Sequence, residues 1–88
     1  MSEVAWTDAA LDQLANIYVA SAAGERNRLV AAVEEIDRRL GGNAPLEGES
    51  RGGNSRIYFH DLLVVLFTVA PHSPVMVAGV RPNKRLRK

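Results

Sequence analysis

Residues 62–69 constrain the fold of this chain more than any other stretch. Seven of these eight residues are apolar and four are β-branched. The run is too short for an ordinary helix, and both of its alternating sets of side chains are apolar, which predicts a strand covered on both faces. In a chain of 88 residues, we expect this strand inside the sheet with the other elements around it.

A strand and a helix are predicted near the start of the chain. Residues 3–7 form a short candidate strand, and Thr7 is a candidate N-cap for a helix over residues 8–22. The apolar side chains that recur at helical spacing, and should face the core, are Leu11, Leu14, Ala15, Tyr18 and Ala22, with Ile17 on the flank. Trp6 and Tyr18 are most simply core residues that bridge strand and helix.

A second amphipathic helix is predicted over residues 25–40. Gly24 separates it from the first helix, and Gly41 and Gly42 provide a C-terminus that tolerates the left-handed conformation. Its apolar stripe consists of Leu29, Val33, Ile36 and Leu40, widened by Val30 and Ala32. The short joint predicts an antiparallel helical hairpin, and both helices need the sheet to bury their apolar stripes.

The second half of the chain is predicted to be a three-stranded antiparallel meander. A glycine-rich loop over residues 43–54 precedes strands at 55–59, 62–69 and 75–81, which are joined by short turns at 60–61 and 70–74. The predicted fold is α+β, with the order β-α-α-β-β-β and a helical hairpin on one face of a mostly antiparallel, four-stranded sheet. We predict a single domain over residues 1–82 and a basic tail over residues 83–88.

The composition excludes several classes of protein. The chain has no cysteine, so disulfides and thiolate metal sites are excluded, and its two histidines are far apart in sequence. No apolar run approaches the ~20 residues that cross a bilayer, and acidic residues interrupt any signal-like start. We therefore expect a cytoplasmic protein with no membrane association, no metal and no cofactor.

The net charge of +1 conceals an asymmetry between the two halves of the chain. Residues 1–49 carry nine acidic and four basic residues, a net charge of −5, whereas residues 50–88 carry seven basic residues and one acidic residue, a net charge of +6. If the halves form different faces, one face will attract polyanions such as nucleic acid. The alternative is that the charge serves solubility and lies partly in a frayed tail.

Several segments of the sequence resemble those of the RelE/ParE superfamily, the toxins of type II toxin–antitoxin modules. These segments are residues 6–14 (WTDAALDQL), 36–40 (IDRRL), 45–51 (PLEGESR) and the strands through Val80 and Arg81. The resemblance implies a toxin that cuts mRNA on the ribosome or inhibits DNA gyrase. It also implies an antitoxin protein as partner, and self-association into a homodimer is left open.

The resemblance also implies candidate site residues for metal-independent RNA cleavage. Such a reaction needs a group that accepts the 2′-hydroxyl proton, cations on the phosphate and a proton for the leaving oxygen. Arg81 matches a family arginine at a strand end. The counterpart of a second family arginine depends on register: it is an apolar position if the strand is 62–69, and Arg56 if the strand is 55–59.

The remaining acid–base positions of the family are not matched. Ala44 stands where some relatives have a glutamate, and residues 83–88 replace the terminal histidine or tyrosine. These departures favour binding over cleavage, and they support the alternative of a non-catalytic interaction domain that has kept the fold and lost the nuclease site.

The candidate site from the local pattern is one face of the strand over residues 55–59. Arg56, Tyr58 and His60 alternate along it, with Arg51 and Arg81 as further candidates. These side chains could bind a phosphate and stack on a base, or they could form the solvated face of an edge strand. His72, Glu47 and Glu49 are more simply turn and loop residues. Since two helices cover one face of the central strand, its other apolar face is expected to bind a partner, a second copy or the C-terminal segment.

Overall fold

The apolar run forms the middle strand of a five-stranded sheet in the computed structural model, which describes residues 3–44 and 47–83. The elements, in chain order, are β1 (Val4–Trp6), α1 (Asp8–Ala20), α2 (Ala23–Asn43), β2 (Glu49–Ser50), β3 (Ser55–Phe59), β4 (Leu63–Thr68) and β5 (Val75–Pro82). The predicted α+β fold is confirmed, with both helices packed on one face of a mostly antiparallel sheet.

The strand order in the sheet is β1-β5-β4-β3-β2, which places β4 at the centre as predicted. β1 pairs in parallel with β5, and the other neighbours are antiparallel. The sheet has five strands instead of the expected four, because two residues of the predicted loop form β2 against β3. A two-residue strand within a glycine-rich segment carries too short an alternation to be seen in the sequence.

α1 has a capped N-terminus and is joined to the sheet by one polar side chain. Thr7 caps the helix as predicted, since its hydroxyl accepts a hydrogen bond from the Ala10 amide at 3.1 Å. The helix ends at Ala20, two residues before the predicted end. Gln13 joins it to the sheet, because its Oε1 accepts a hydrogen bond from the Val80 amide at 2.8 Å.

The predicted core-facing stripe of α1 is confirmed for Leu14 and the flanking Ile17, and it is wrong for Leu11, Ala15, Tyr18 and Ala22. Ala10 is fully buried and Leu14 and Ile17 pack against the core, whereas Leu11 and Tyr18 are 47% and 41% exposed. Two apolar stripes about a third of a turn apart compete for the sheet. The buried stripe is the one with Gln13 on its flank, and that side chain satisfies a backbone amide of β5.

α2 is longer than predicted at both ends. It begins at Ala23, so Gly24 lies in its first turn, and it continues through Gly41 and Gly42 to Asn43. None of these three glycines has a positive φ, so none of them serves as the predicted helix breaker. The helix buries Leu29, Ala32, Ile36 and Leu40 against Leu63, Val65 and Phe67 of β4 and the valines of β5.

The two helices run antiparallel, as predicted. Near the start of α1, the Trp6 indole donates a hydrogen bond to Asp37 Oδ1 at 2.8 Å. At its end, the Arg26 guanidinium lies 5.1 Å from the centre of the Tyr18 ring. Trp6 therefore bridges strand and helix as expected, but Tyr18 is a surface residue that stacks on a side chain of the neighbouring helix.

The C-terminal end of β5 is fastened to the turn between β3 and β4. Asn83, the first residue of the predicted tail, is buried. Its side chain donates a hydrogen bond to the His60 carbonyl at 2.6 Å, and its amide donates to the Leu62 carbonyl at 2.9 Å. Residues 84–88, the rest of the predicted tail, lie outside the described residues.

Candidate functional site

The face of the sheet opposite the helices is the apolar surface that the sequence predicts for a partner. Directly opposed residues of antiparallel strands share a face, so Ile57 lies beside Leu66, Phe59 beside Val64, and Val64 beside Arg81. We call this surface the open face, formed by Ile57, Phe59, Val64, Leu66 and Arg81.

Side chains of the open face pack on one another instead of on the helices. Ile57 and Val64 are 9% and 6% exposed, yet neither belongs to the core that α1 and α2 build with the sheet. Leu66 is 41% exposed at the centre of the middle strand. An apolar ridge in the middle of a sheet, beside an exposed arginine at a strand end, is typical of a protein-binding surface.

The predicted trio of Arg56, Tyr58 and His60 lies on the opposite side, against the helices. Arg56 is paired with Phe67 and Tyr58 with Val65, and both partners are fully buried in the helix-facing core. The alternative that this is the solvated face of an edge strand is also not what the structure shows, because β2 flanks β3, Tyr58 packs against the core and His60 contacts Glu35 of α2.

Arg56 holds a loop. Its Nε donates a hydrogen bond to the Glu47 carbonyl at 2.8 Å, and its Nη2 donates to the Gly48 carbonyl at 3.0 Å. Gly48 has a φ of +70°, and a Cβ there would overlap the Ile57 carbonyl. The guanidinium therefore fixes the backbone that leads into β2, and these two carbonyls occupy donors that a phosphate would need.

His60 is held in one tautomer by its neighbours. The Leu62 amide donates a hydrogen bond to Nδ1 at 3.1 Å, so Nδ1 is the acceptor and Nε2 carries the proton. Nε2 lies 3.0 Å from Glu35 Oε1 on α2. The side chain is 10% exposed, which makes this imidazole part of the junction between helix and sheet.

Two of the acidic groups near this junction have shifted pKa values. The hydrogen bond from His60 lowers the pKa of Glu35 below its ordinary value of 4.5, assisted by the nearby charge of Arg39 and opposed by partial burial. Burial raises the pKa of the Tyr58 phenol above 10.0. A phenol with a raised pKa does not serve as a general base near neutral pH.

The two other candidate arginines stand apart from this trio. Arg81 is exposed on the open face at the end of β5. Arg51 is exposed beyond β2, with its Nη2 at 3.8 Å from Glu49 Oε1. The structure thus separates Arg81 from Arg56, Tyr58 and His60 by the thickness of the sheet, so the five candidates do not form one constellation.

The structural roles of two residues, Glu35 and Asn83, are not predicted from the sequence. Glu35 belongs to the polar side of α2 by its spacing, and only the folding of the β3–β4 turn against that helix brings it to His60. Asn83 falls in the predicted tail. Its position directly after Pro82, where a strand ends, is a weak signal for a capping side chain.

The described residues offer no sign of two other kinds of site. No group of three or more His, Cys, Asp or Glu side chains within residues 3–44 and 47–83 could hold a metal ion. Neither helix in the described part of the chain is long and apolar enough to cross a membrane. His72 is an exposed turn residue, as expected, with a φ of +63°.

The element order, the parallel β1–β5 pair and the hairpin on one face agree with the RelE/ParE-like fold that the sequence resemblance implies. Comparison with solved structures agrees. The chain is similar to a chain of the RelBE2 toxin–antitoxin complex from Mycobacterium tuberculosis, with a TM-score of 0.74 and 16% sequence identity; the match covers 93% of this chain and 91% of the other. It is also similar to a chain of the chromosomal ParDE toxin–antitoxin system from P. aeruginosa, with a TM-score of 0.72 and 19% sequence identity; this match covers 93% of this chain and 96% of the other. No protein-family model and no characterised protein sequence matches the chain.

Proposed function

We propose that this chain is the toxin of a type II toxin–antitoxin pair and that an antitoxin protein silences it. The observation that carries this proposal is the RelE/ParE-like fold over 93% of the chain, shared with chains from two toxin–antitoxin systems. The open face supports it, since it offers an apolar surface on which an antitoxin segment can lie.

Among the two modes of action of such toxins, we propose inhibition of DNA gyrase by binding. Metal-independent RNA cleavage needs a proton acceptor, a proton donor and cations around one phosphate. Here Arg56 is committed to the Glu47 and Gly48 carbonyls, and His60 is committed to Glu35 and Leu62. A protein target needs only a complementary surface, which the open face supplies.

Cleavage of mRNA on the ribosome is the second candidate, and Arg81 is the observation that favours it. This residue is exposed, matches a family position and lies at the end of the basic half of the chain. A non-catalytic interaction domain of the same fold is the remaining alternative, and it predicts no effect on growth.

Expression and two enzyme assays separate these functions. Induction of the chain alone in a bacterial host should stop growth, and co-expression of the neighbouring reading frame should restore it. In vitro, the purified protein should inhibit plasmid supercoiling by gyrase and leave mRNA on translating ribosomes uncut. Cut mRNA with unaffected supercoiling would favour the second candidate, and undisturbed growth with a folded protein would favour the interaction domain.

A further inference from the structure

A second apolar surface lies on the helical side of the molecule. Of the large apolar side chains that the structure describes as exposed, Leu11, Tyr18 and Val19 lie on α1, with exposed fractions of 47%, 41% and 72%. Ala15 is exposed between them. We call Leu11, Ala15, Tyr18 and Val19 the α1 stripe. Its members recur at intervals of three and four residues, the spacing with which one helix packs against another.

Charge differs between the two ends of this stripe. Asp8 and Asp12 are exposed near the N-terminus of α1. At the C-terminus, Arg26 of α2 stacks on Tyr18 and donates hydrogen bonds to the Tyr18 and Val19 carbonyls at 2.9 and 3.2 Å. One end therefore carries two carboxylates, and the other carries the Arg26 guanidinium against the stripe, with Glu25 exposed next to it in the chain. Such a surface is complementary to a copy of itself turned end for end.

We propose that this chain forms a homodimer in which α1 packs antiparallel on α1 of a second copy, with the two-fold axis at Ala15. The small Ala15 side chain permits close approach of the helices at the axis. Leu11 then lies against the partner's Val19, and Asp12 lies beside the partner's Tyr18 and the partner's Arg26. Each of these contacts occurs twice, as two-fold symmetry requires.

The short length of α1 limits the area that this dimer can bury. With 13 residues, α1 is roughly 20 Å long, so one helix on one helix buries less than the ~800 Å² per partner of a standard interface. The dimer should therefore be weak and should form only at high protein concentration. It uses the face opposite the open face, so an antitoxin or a target can bind at the same time.

Cysteine cross-linking tests the axis directly, because the chain has no cysteine of its own. In Ala15→Cys, the two new thiols meet at the axis, within the ~7 Å between Cα atoms that a disulfide tolerates. We expect a disulfide-linked dimer under mild oxidation. Glu34→Cys, at an exposed position of α2, is the matched control and should remain largely monomeric. Equal cross-linking of both variants would overturn the proposal.

Sedimentation equilibrium tests the same interface without a covalent bond. The unaltered protein and Leu66→Glu, which changes the open face, should both dimerise, whereas Val19→Glu should be monomeric up to several hundred micromolar, with a far-UV spectrum like that of the unaltered protein. A monomer throughout this range for the unaltered chain contradicts the proposal. So does a dimer that Leu66→Glu abolishes and Val19→Glu does not. Neither readout depends on toxicity, so the proposed function is tested separately.

Discussion

The imidazole Nε2 of His60 lies 3.0 Å from Glu35 Oε1 and joins the β3–β4 turn to α2. The same turn receives the Asn83 side chain on its His60 carbonyl at 2.6 Å. Three parts of the chain that are distant in sequence therefore meet at one histidine. The contact is structural, because Leu62 and Glu35 engage both ring nitrogens.

Glu35→Gln should reduce stability in a pH-dependent way. Because the hydrogen bond from His60 lowers the pKa of Glu35 in the folded state below 4.5, its charged form stabilises the fold above the pH at which the unfolded carboxyl titrates. This contribution disappears as the pH falls through the folded-state pKa. Urea unfolding should show a gap between the variant and the unaltered protein that is larger at pH 7 than at pH 3.

The neighbouring Glu34→Gln provides the control for this measurement. Glu34 is exposed on the outer side of α2, and its neutralisation should leave the free energy of unfolding nearly unchanged at both pH values. A gap of equal size at pH 7 and pH 3 for Glu35→Gln would contradict the role assigned to the charged carboxylate.

Replacement of Arg56 should lower the stability of the protein, whereas replacement of Arg81 should leave it nearly unchanged. Arg56→Ala removes two hydrogen bonds to loop carbonyls and should lower the free energy of unfolding by about 1–3 kcal/mol. Arg56→Lys should recover only part of this loss, because an ammonium does not reproduce the fork of the guanidinium. Arg81→Ala, at an exposed position, should change stability by less than about 0.5 kcal/mol. Chemical denaturation measures all three, and an Arg56→Ala protein of undiminished stability would refute the structural role of Arg56.

Gly48 and Gly52 allow the packing requirement to be separated from the backbone requirement. Both have positive φ, +70° and +99°, but only a Cβ at Gly48 meets another part of the chain, the Ile57 carbonyl group. Gly52→Ala should therefore lose about 1–2 kcal/mol from backbone strain alone. Gly48→Ala should lose more, and its thermal midpoint should be the lower of the two. A lower thermal midpoint for Gly52→Ala than for Gly48→Ala would show that the loop around Gly48 shifts at little energetic cost to accommodate the new Cβ.

Gly24→Ala should stabilise the protein. Gly24 lies in the first turn of α2 without a positive φ, and the position that a Cβ would take there is open space. Alanine reduces the conformational entropy of the unfolded chain and should add up to about 0.5–1 kcal/mol. Thermal unfolding measures the gain, and a loss would argue that α2 begins after Gly24, as its sequence suggests.

The strands are easier to predict from the sequence than the helix faces, for a physical reason. The run that forms β4 predicts a buried strand whichever way it faces, because both of its alternating sets of side chains are apolar, and Leu63, Val65 and Phe67 are the set that the structure packs in the core with the helices. α1 instead has two apolar stripes, and the one that is buried lies beside Gln13, which accepts a hydrogen bond from the Val80 amide. This partner lies 67 residues away in the chain, beyond the reach of any local pattern.

The candidate site illustrates the same limit. Alternation correctly places Arg56 and Tyr58 on one face of β3 and Ile57 on the other. It does not say which face the helices cover. Because that assignment depends on the register between β3 and β4 and on the helix positions, the polar-looking face is the covered one and the apolar face is the open one.

The effect of Leu66→Glu on growth tests the central claim most directly, because it links the proposed toxicity to the open face. Leu66 is 41% exposed, so the variant should remain folded, and Val30→Glu on α2, at 48% exposure, is the matched control. When each is induced without an antitoxin, the unaltered chain and Val30→Glu should stop growth, whereas Leu66→Glu should not. Growth arrest by a folded Leu66→Glu protein, or normal growth with the unaltered chain, would contradict the proposed role of the open face.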